Sequence, residues 1–217
     1  MTQPLLPGMK RRGRPRVPSK SYIPHRSRPA IARPFAAHVT LKLLPRFESL
    51  RARKLYARVR RAFVQGCDRF GFRLVQYSVQ RDHIHLIAEA EDRAALSKGI
   101  QGLAIRIAKG INALLGQGGQ VFKERFHLRV LSTPTQVRNA LHYVLDNAVR
   151  HDRRQGRGGA LGDVDDRSSA GYFDGWARGW WSRRITAARG PDTPVARART
   201  WLLTTGWRRL GLLVPGG

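Results

Sequence analysis

The chain is poor in acid. Its 217 residues carry 14 Asp and Glu against 41 Lys and Arg, a formal net charge of +27. This excess is beyond what solubility requires, and it would repel itself unless it met a polyanion, most commonly the phosphate backbone of nucleic acid. Long hydrophobic runs are also missing. No apolar stretch approaches the ~20 residues of a membrane-spanning helix, and no apolar segment follows the basic start as a secretory leader would require. A membrane is therefore not the expected partner. The single cysteine, Cys67, excludes an internal disulfide and is compatible with a reducing cytoplasm. It falls in a helix-like stretch, where a small buried apolar role is expected. Core material is not lacking: a hydrophobic content of 41% supports a folded interior. The length suits one compact domain with extensions, or two small domains.

Residues 1–33 contain prolines, arginines and lysines but no acidic residue and no periodic apolar pattern. Such a segment cannot bury enough surface to offset its ordering entropy and reads as a flexible basic arm. Within it, Arg12-Gly13-Arg14-Pro15-Arg16 looks like the core of an AT-hook, a segment that lies extended in the narrow minor groove of A·T-rich DNA. The other reading is a generic basic tail whose Arg12, Arg14 and Arg16 touch phosphates without preference.

From there the apolar pattern alternates between two periods. His38 to Leu44 alternates in steps of two and reads as a strand. Leu50 to Phe70 places Leu55, Val59, Ala62 and Phe63 at helical spacing, and Gly71 breaks it. Phe72 to Val79 and Asp82 to Ala90 read as two strands of a hairpin. Leu96 to Leu115 carries Ile100, Leu103, Ile107 and Ile111 on one helical face, closed by Gly116, Gly118 and Gly119. Val121 to Leu131 reads as a fourth strand. Thr133 is the expected N-cap of a last helix, with Pro134 at its first position, running to about Arg150. Strand, helix, strand, strand, helix, strand, helix is the order of two split βαβ units. The expected class is α+β: a ferredoxin-like antiparallel sheet with helices on one face. Beyond Arg150 the composition turns to Gly, Asp, Arg and Ser, and then to Tyr172, Trp176, Trp180 and Trp181 among arginines.

The residues richest in chemistry are His83-Ile84-His85. On a strand, His83 and His85 share one face and Ile84 faces the other. Two adjacent imidazoles can chelate a divalent metal, although His-x-His alone is a weak motif and a solvated pair is the common alternative. Tyr143 and Asn147 lie four residues apart, one turn apart on one side of the last helix. That helix can lie near the histidine-bearing face. An amide oxygen from Asn147 would complete a mixed nitrogen and oxygen shell suited to Mg²⁺ or Mn²⁺. Tyr143 would then stand beside the metal as a nucleophile, or simply pack as an amphipathic aromatic.

The pairing of DHIHL (82–86) with HYVLDNAVRH (142–151), separated by a helix and a strand, resembles the single-tyrosine HUH transposases, and most of all the group associated with repetitive extragenic palindromes. The resemblance spans about residues 35 to 151. It puts a catalytic domain at 34–151, between the arm at 1–33 and a C-terminal tail at 152–217. It implies a ferredoxin-like fold, His83, His85 and Asn147 as metal ligands, and Tyr143 as the nucleophile. Asp82 would orient a ligand imidazole from behind. The implied substrate is single-stranded DNA carrying hairpins, cut through a 5′-phosphotyrosine link, in a bacterial cytoplasmic, nucleoid-associated protein that is a monomer or a homodimer. Relatives often read Tyr-Ile-x-x-Asn-Pro where this chain reads Tyr-Val-Leu-Asp-Asn-Ala, which bears on how the helix ends more than on chemistry.

Other candidates have weaker claims. His38 could approach the site, with a core or hydrogen-bonding role as the main expectation, and His142 should be exposed and point away from the tyrosine's side. Phe122 and Phe126 should combine packing with DNA contact. Lys123, Arg125 and Arg150 are candidate phosphate contacts. Trp176, with Tyr172, Trp180 and Trp181, could stack on unpaired bases or dock the tail onto the domain. Two alternatives to an active nuclease remain: a domesticated relative that holds DNA hairpins without cutting, and an RNA-binding basic protein. The second leaves the placement of the histidines, tyrosine and asparagine unexplained.

Overall fold

The structure is a computed structural model that describes residues 34–47, 49–123, 125–154, 164–177 and 190–215, with side chains along the last helix described through Asp146. The AT-hook-like Arg12, Arg14 and Arg16, the side chain of Arg150, and Trp180 and Trp181 lie outside the described residues.

The elements follow the expected order: β1 Phe35–Lys42, α1 Arg53–Gly66, a short β2 Asp68–Arg69, β3 Phe72–Val79, β4 His83–Ala90, α2 Arg93–Leu115, β5 His127–Leu131 and α3 Pro134–Arg154. The sheet is five-stranded in the order β2-β3-β4-β1-β5, antiparallel throughout. This is the split βαβ arrangement. Alternation along the strands sorts the side chains onto two faces. Phe35, Ala37, Val39 and Leu41 of β1, with Ile84, Leu86, Ala88 and Ala90 of β4, meet Leu55, Val59 and Phe63 of α1 and Leu96, Ile100, Leu103 and Ile107 of α2 in one apolar core. Close packing there needs Gly99 on α2, because a Cβ at that position would fall 2.1 Å from Cγ of Phe72.

The helix ends obey local capping chemistry. Asp92 accepts from the Ala95 N–H at 2.7 Å to open α2, and Gly116 closes it in the left-handed conformation at φ 62°. Thr133 caps α3 through its Oγ1, which accepts from the Gln136 N–H.

Several elements differ from the expectation. α1 ends at Gly66 rather than running to Phe70, because Cys67 to Arg69 turn into β2 and Phe70-Gly71 form the tip of a tight hairpin, both at positive φ. The last strand is shorter than Val121–Leu131. Thr40 pairs with His127 but Leu43 pairs with Phe122, so a three-residue step on β1 is matched by a five-residue step opposite, and the surplus loops out. Phe122 and Phe126 still pack against the main core, while Lys123 and Arg125 are exposed on that loop.

The helices do not all share one face. α1 and α2 do, but α3 crosses the opposite one, where Val137, Ala140, Leu141, Val144 and Leu145 find Ala36, Val75, Ile87 and Leu131. Those apolar residues on an otherwise polar face give α3 its seat.

The C-terminal segments pack beside α3. Phe173, Trp176 and Trp207 interlock there, with Phe173 and Trp176 ring centroids 5.0 Å apart and Phe173 and Trp207 rings 5.5 Å apart. The Trp176 indole N–H donates to the Ala170 carbonyl at 3.1 Å, and only 1% of Trp176 is exposed. Trp176 is therefore a docking residue and not the base-stacking surface entertained for it, because its ring is buried in the cluster beside α3.

A buried carboxylate ties this segment to the sheet. Glu89 accepts from Arg73 Nε at 3.1 Å, from the Arg199 and Thr200 backbone N–H groups at 2.8 and 2.7 Å, and from the Thr200 hydroxyl. The Glu89 side chain is wholly buried and Arg73 nearly so. Removing one partner of such a pair strands the other charge away from water. Glu89→Ala should lower the unfolding free energy by about 3–5 kcal/mol, measured by guanidinium denaturation; a loss below about 1 kcal/mol would show that Arg73 reaches solvent once freed.

Candidate metal and nucleophile site

β4 is flanked by β3 and β1, and its histidines project onto the face that α3 crosses. The His83 and His85 rings stand nearly perpendicular at 80°, with their Nε2 atoms 3.0 Å apart. Each Nδ1 is engaged from behind. His83 Nδ1 lies 2.8 Å from Asp82 Oδ1, and His85 Nδ1 lies 3.2 Å from both Thr40 Oγ1 and His38 Nε2. The β1–β4 register makes this possible, since Thr40 sits directly opposite His85 and His38 opposite Ile87.

The electrostatics agree with this arrangement. Burial, reinforced by the neighbouring His83 and His38, pushes the His85 pKa down to about 3. Burial, with Arg129 adding, pushes His38 down to about 4. Both rings are therefore neutral near pH 7. Asp82 is held below the ordinary carboxylate range chiefly by its hydrogen bond from His83. A neutral His85 that donates its Nδ1–H to Thr40 or His38 presents a bare Nε2 lone pair. His83 Nδ1 faces Asp82 in the same way, which turns its Nε2 toward that of His85.

Two lone pairs held 3.0 Å apart repel each other unless a cation or a shared proton lies between them. Two ligands at right angles, each about 2.1 Å from an octahedral ion, would be separated by about 3.0 Å, so the observed separation fits a chelating pair. Among the described residues, no third His, Cys, Asp or Glu completes a cluster of ligands. A divalent ion here would therefore need amide, phosphate or water oxygens for the rest of its shell.

Tyr143 projects from α3 toward this pair. Its ring centroid lies 4.9 Å from that of His85 and 5.9 Å from that of His38, edge-on to both. It is 47% exposed, so the phenol is open to a substrate. Asn147 follows one turn later on α3, and its side chain lies outside the described residues. His142 is half-buried rather than exposed, with Nε2 3.5 Å from the buried Asp146 carboxylate one turn on. Sequence reasoning passed over three further residues on this face. Lys42 pairs with His83, His127 with Thr40, and Arg129 with His38, so the three exposed side chains rim the site. The alternation His38-Val39-Thr40-Leu41-Lys42 could have signalled the β1 part of this set.

The depressed histidines give the fold a pH signature. Both have folded pKa values below the unfolded value of 6.5, so the unfolded chain binds more protons across the interval, and stability falls as pH drops from about 6.5 toward 4. Urea melts at stepped pH should show this decline with a shallower slope for His38→Gln. Equal slopes would mean that His38 does not titrate abnormally.

Comparison with known proteins agrees with the fold. The family model described as Transposase IS200 like matches residues 35–147. A solved structure described as a REP-associated tyrosine transposase bound to a REP hairpin aligns over 82% of this chain and 100% of its own, at 16% identity and a TM-score of 0.54. That likeness supports the fold. A putative transposase from Deinococcus radiodurans R1 aligns over 62% of this chain and 99% of its own, at 16% identity, and its TM-score of 0.36 adds no weight. No curated protein matches the chain. The family model spans more than half of the chain and contains both histidines, the tyrosine and the asparagine. The chain belongs to the IS200-like transposase family.

Proposed function

We propose that the protein is a metal-dependent transposase that nicks and rejoins single-stranded DNA bearing hairpins, through a covalent link to Tyr143. The observation that carries this reading is the convergence of two imidazole Nε2 atoms, 3.0 Å apart, beside an exposed tyrosine whose ring lies 4.9 Å from that of His85. A hairpin-binding module that does not cut would have no use for that convergence.

In this reading His83, His85 and Asn147 hold a divalent ion, Mg²⁺ or Mn²⁺. When bound, it would withdraw charge from the scissile phosphate and so offset the weakness of a phenol whose free pKa is about 10. Asp82, Thr40 and His38 keep both ligand imidazoles in the Nδ1–H form, the role of outer partners in metal sites. Lys42 and Arg129 at the rim supply positive charge for the strand's phosphates, and Lys123, Arg125 and Arg150 extend that contact.

Tyr143 Oη forms a bond to phosphorus as the bond from phosphorus to the 3′ oxygen breaks. The phenol gives up its proton, and the 3′ oxygen leaves and takes one up to become a hydroxyl. The 5′-phosphotyrosine retains the phosphodiester's bond energy, so the reverse attack by a 3′-hydroxyl rejoins a strand without added fuel. This is the general logic of covalent catalysis applied to a phosphodiester.

The test is a gel assay on labelled single-stranded hairpin DNA with Mn²⁺. Wild type should give a covalent protein–DNA adduct, and Tyr143→Phe none. His83→Ala and His85→Ala should each reduce it by at least about 100-fold, the upper end of what loss of a metal-site partner costs. Asp82→Asn should cost about 10-fold. An adduct that persists in Tyr143→Phe would overturn the assignment of the nucleophile. Salt-sensitive hairpin retention with no adduct from wild type would favour a binding role.

A further inference from the structure

Where the C-terminal segments dock beside α3 they wall a cavity of about 420 Å³ between themselves, α3 and β3. Val75, Leu141, Phe173 and Leu203 give it apolar walls. Its volume falls in the range of small-molecule sites. The cavity sits on the far flank of α3 from the histidine pair. Leu141 lines it and packs with Val75, whereas Tyr143, two residues on and about 200° around the helix, faces His85.

One buried polar group on the lining lacks a partner. Gln76 is 4% exposed, and its Oε1 accepts from the Ser169 hydroxyl. Its Nε2 makes no hydrogen bond among the described residues. With the oxygen committed, the amide can only donate into the cavity. An N–H left unmade away from water costs free energy that an acceptor in the cavity recovers. Thr204 Oγ1 also lines the space; it donates to the Thr200 carbonyl at 3.0 Å and keeps its lone pairs for an incoming donor. Two arginines complete the set. Arg208 is held by Asp174 at 2.7 Å and by the Thr204 carbonyl at 3.0 Å. Arg197 is exposed and takes part in no hydrogen bond or ion pair among the described residues. The lining thus carries two cations against the one carboxylate of Asp174.

We propose that this cavity binds a free small anion with a flat ring that presents a carbonyl beside an N–H, the chemistry of a thymine or guanine nucleoside monophosphate. The ring carbonyl accepts from Gln76 Nε2, the neighbouring N–H donates to Thr204 Oγ1, and the phosphate meets Arg197, whose forked donors suit it. A free molecule fits better than a nucleotide of a bound strand, because a strand on the histidine face would have to cross α3 to reach the cavity. The occupant touches β3, α3 and the C-terminal segments together, so binding stabilises the seat of the helix that carries Tyr143.

The experiment titrates thymidine, deoxyguanosine and deoxyadenosine monophosphates, and inorganic phosphate, into the full chain by calorimetry without metal or DNA. Wild type should bind the thymine and guanine nucleotides saturably. The adenine nucleotide, which has no ring carbonyl, should bind about fivefold more weakly, the worth of one hydrogen bond. Arg197→Gln, at an exposed position, should weaken the thymine nucleotide by about 10-fold or more, as loss of a charge-assisted bond does. Gln76→Leu should weaken it about fivefold, and if that buried variant does not fold, Arg197→Gln decides. Saturating thymidine monophosphate should raise the Tm of wild type and leave that of Arg197→Gln nearly unchanged. Absence of saturable binding, or equal affinities in wild type and Arg197→Gln, would overturn the proposal. Inorganic phosphate binding as tightly as the nucleotides would reduce the cavity to an anion site and overturn it too. Displacement of the bound nucleotide by a stemless single strand would assign the cavity to DNA, against a free ligand.

Discussion

The two-residue period of β4 is the constraint on which the rest depends. The strand is covered on both faces, and alternate side chains serve opposite purposes: Ile84, Leu86 and Ala88 complete the core beneath α1 and α2, while His83 and His85 enter the polar face that α3 crosses. A slip of one residue would bury two imidazoles among leucines and expose the isoleucine. Core packing thus enforces the register that makes the site. Opposite β4, the same register delivers Thr40 and His38 to the back of His85.

Burial then turns geometry into chemistry. An imidazole pair on an open surface would titrate near neutrality and be half protonated when a cation arrived. Here His85 is pushed down to about 3 and His38 to about 4 by loss of solvent, so neither competes as a cation. The cost of that burial is offset by hydrogen bonds at each Nδ1, which also fix the tautomer. Tyr143 comes from a separate element, α3, whose seat depends on Ile87, the next residue on the histidine face of β4. Tyr143 and the histidine pair are therefore positioned by neighbouring positions of one strand.

Much of this was legible before any coordinates. Thr133-Pro134 announced α3, Gly116 closed α2, and His-Ile-His on an alternating strand fixed which residues share a face. Other parts had no local signal. The Nδ1 partners of His85 depend on which residue of β1 lies opposite it, a choice made by the whole sheet. The early end of α1 turned on a hairpin too short to show a strand period. Trp176 among arginines has the same composition whether it stacks on bases or docks a tail, and only the burial of its ring against Phe173 and Trp207 separates the two. The seat of α3 on the second face likewise arises from four apolar residues scattered over β1, β3, β4 and β5.

The central claim is that His83 and His85 present converging lone pairs to a divalent cation. Calorimetric titration with Mn²⁺ in the absence of DNA tests it without relying on catalysis. The account predicts saturable binding by wild type and by Tyr143→Phe, and its loss when both histidines are replaced by alanine. Mn²⁺ binding that survives the double replacement would place the metal elsewhere and contradict the account.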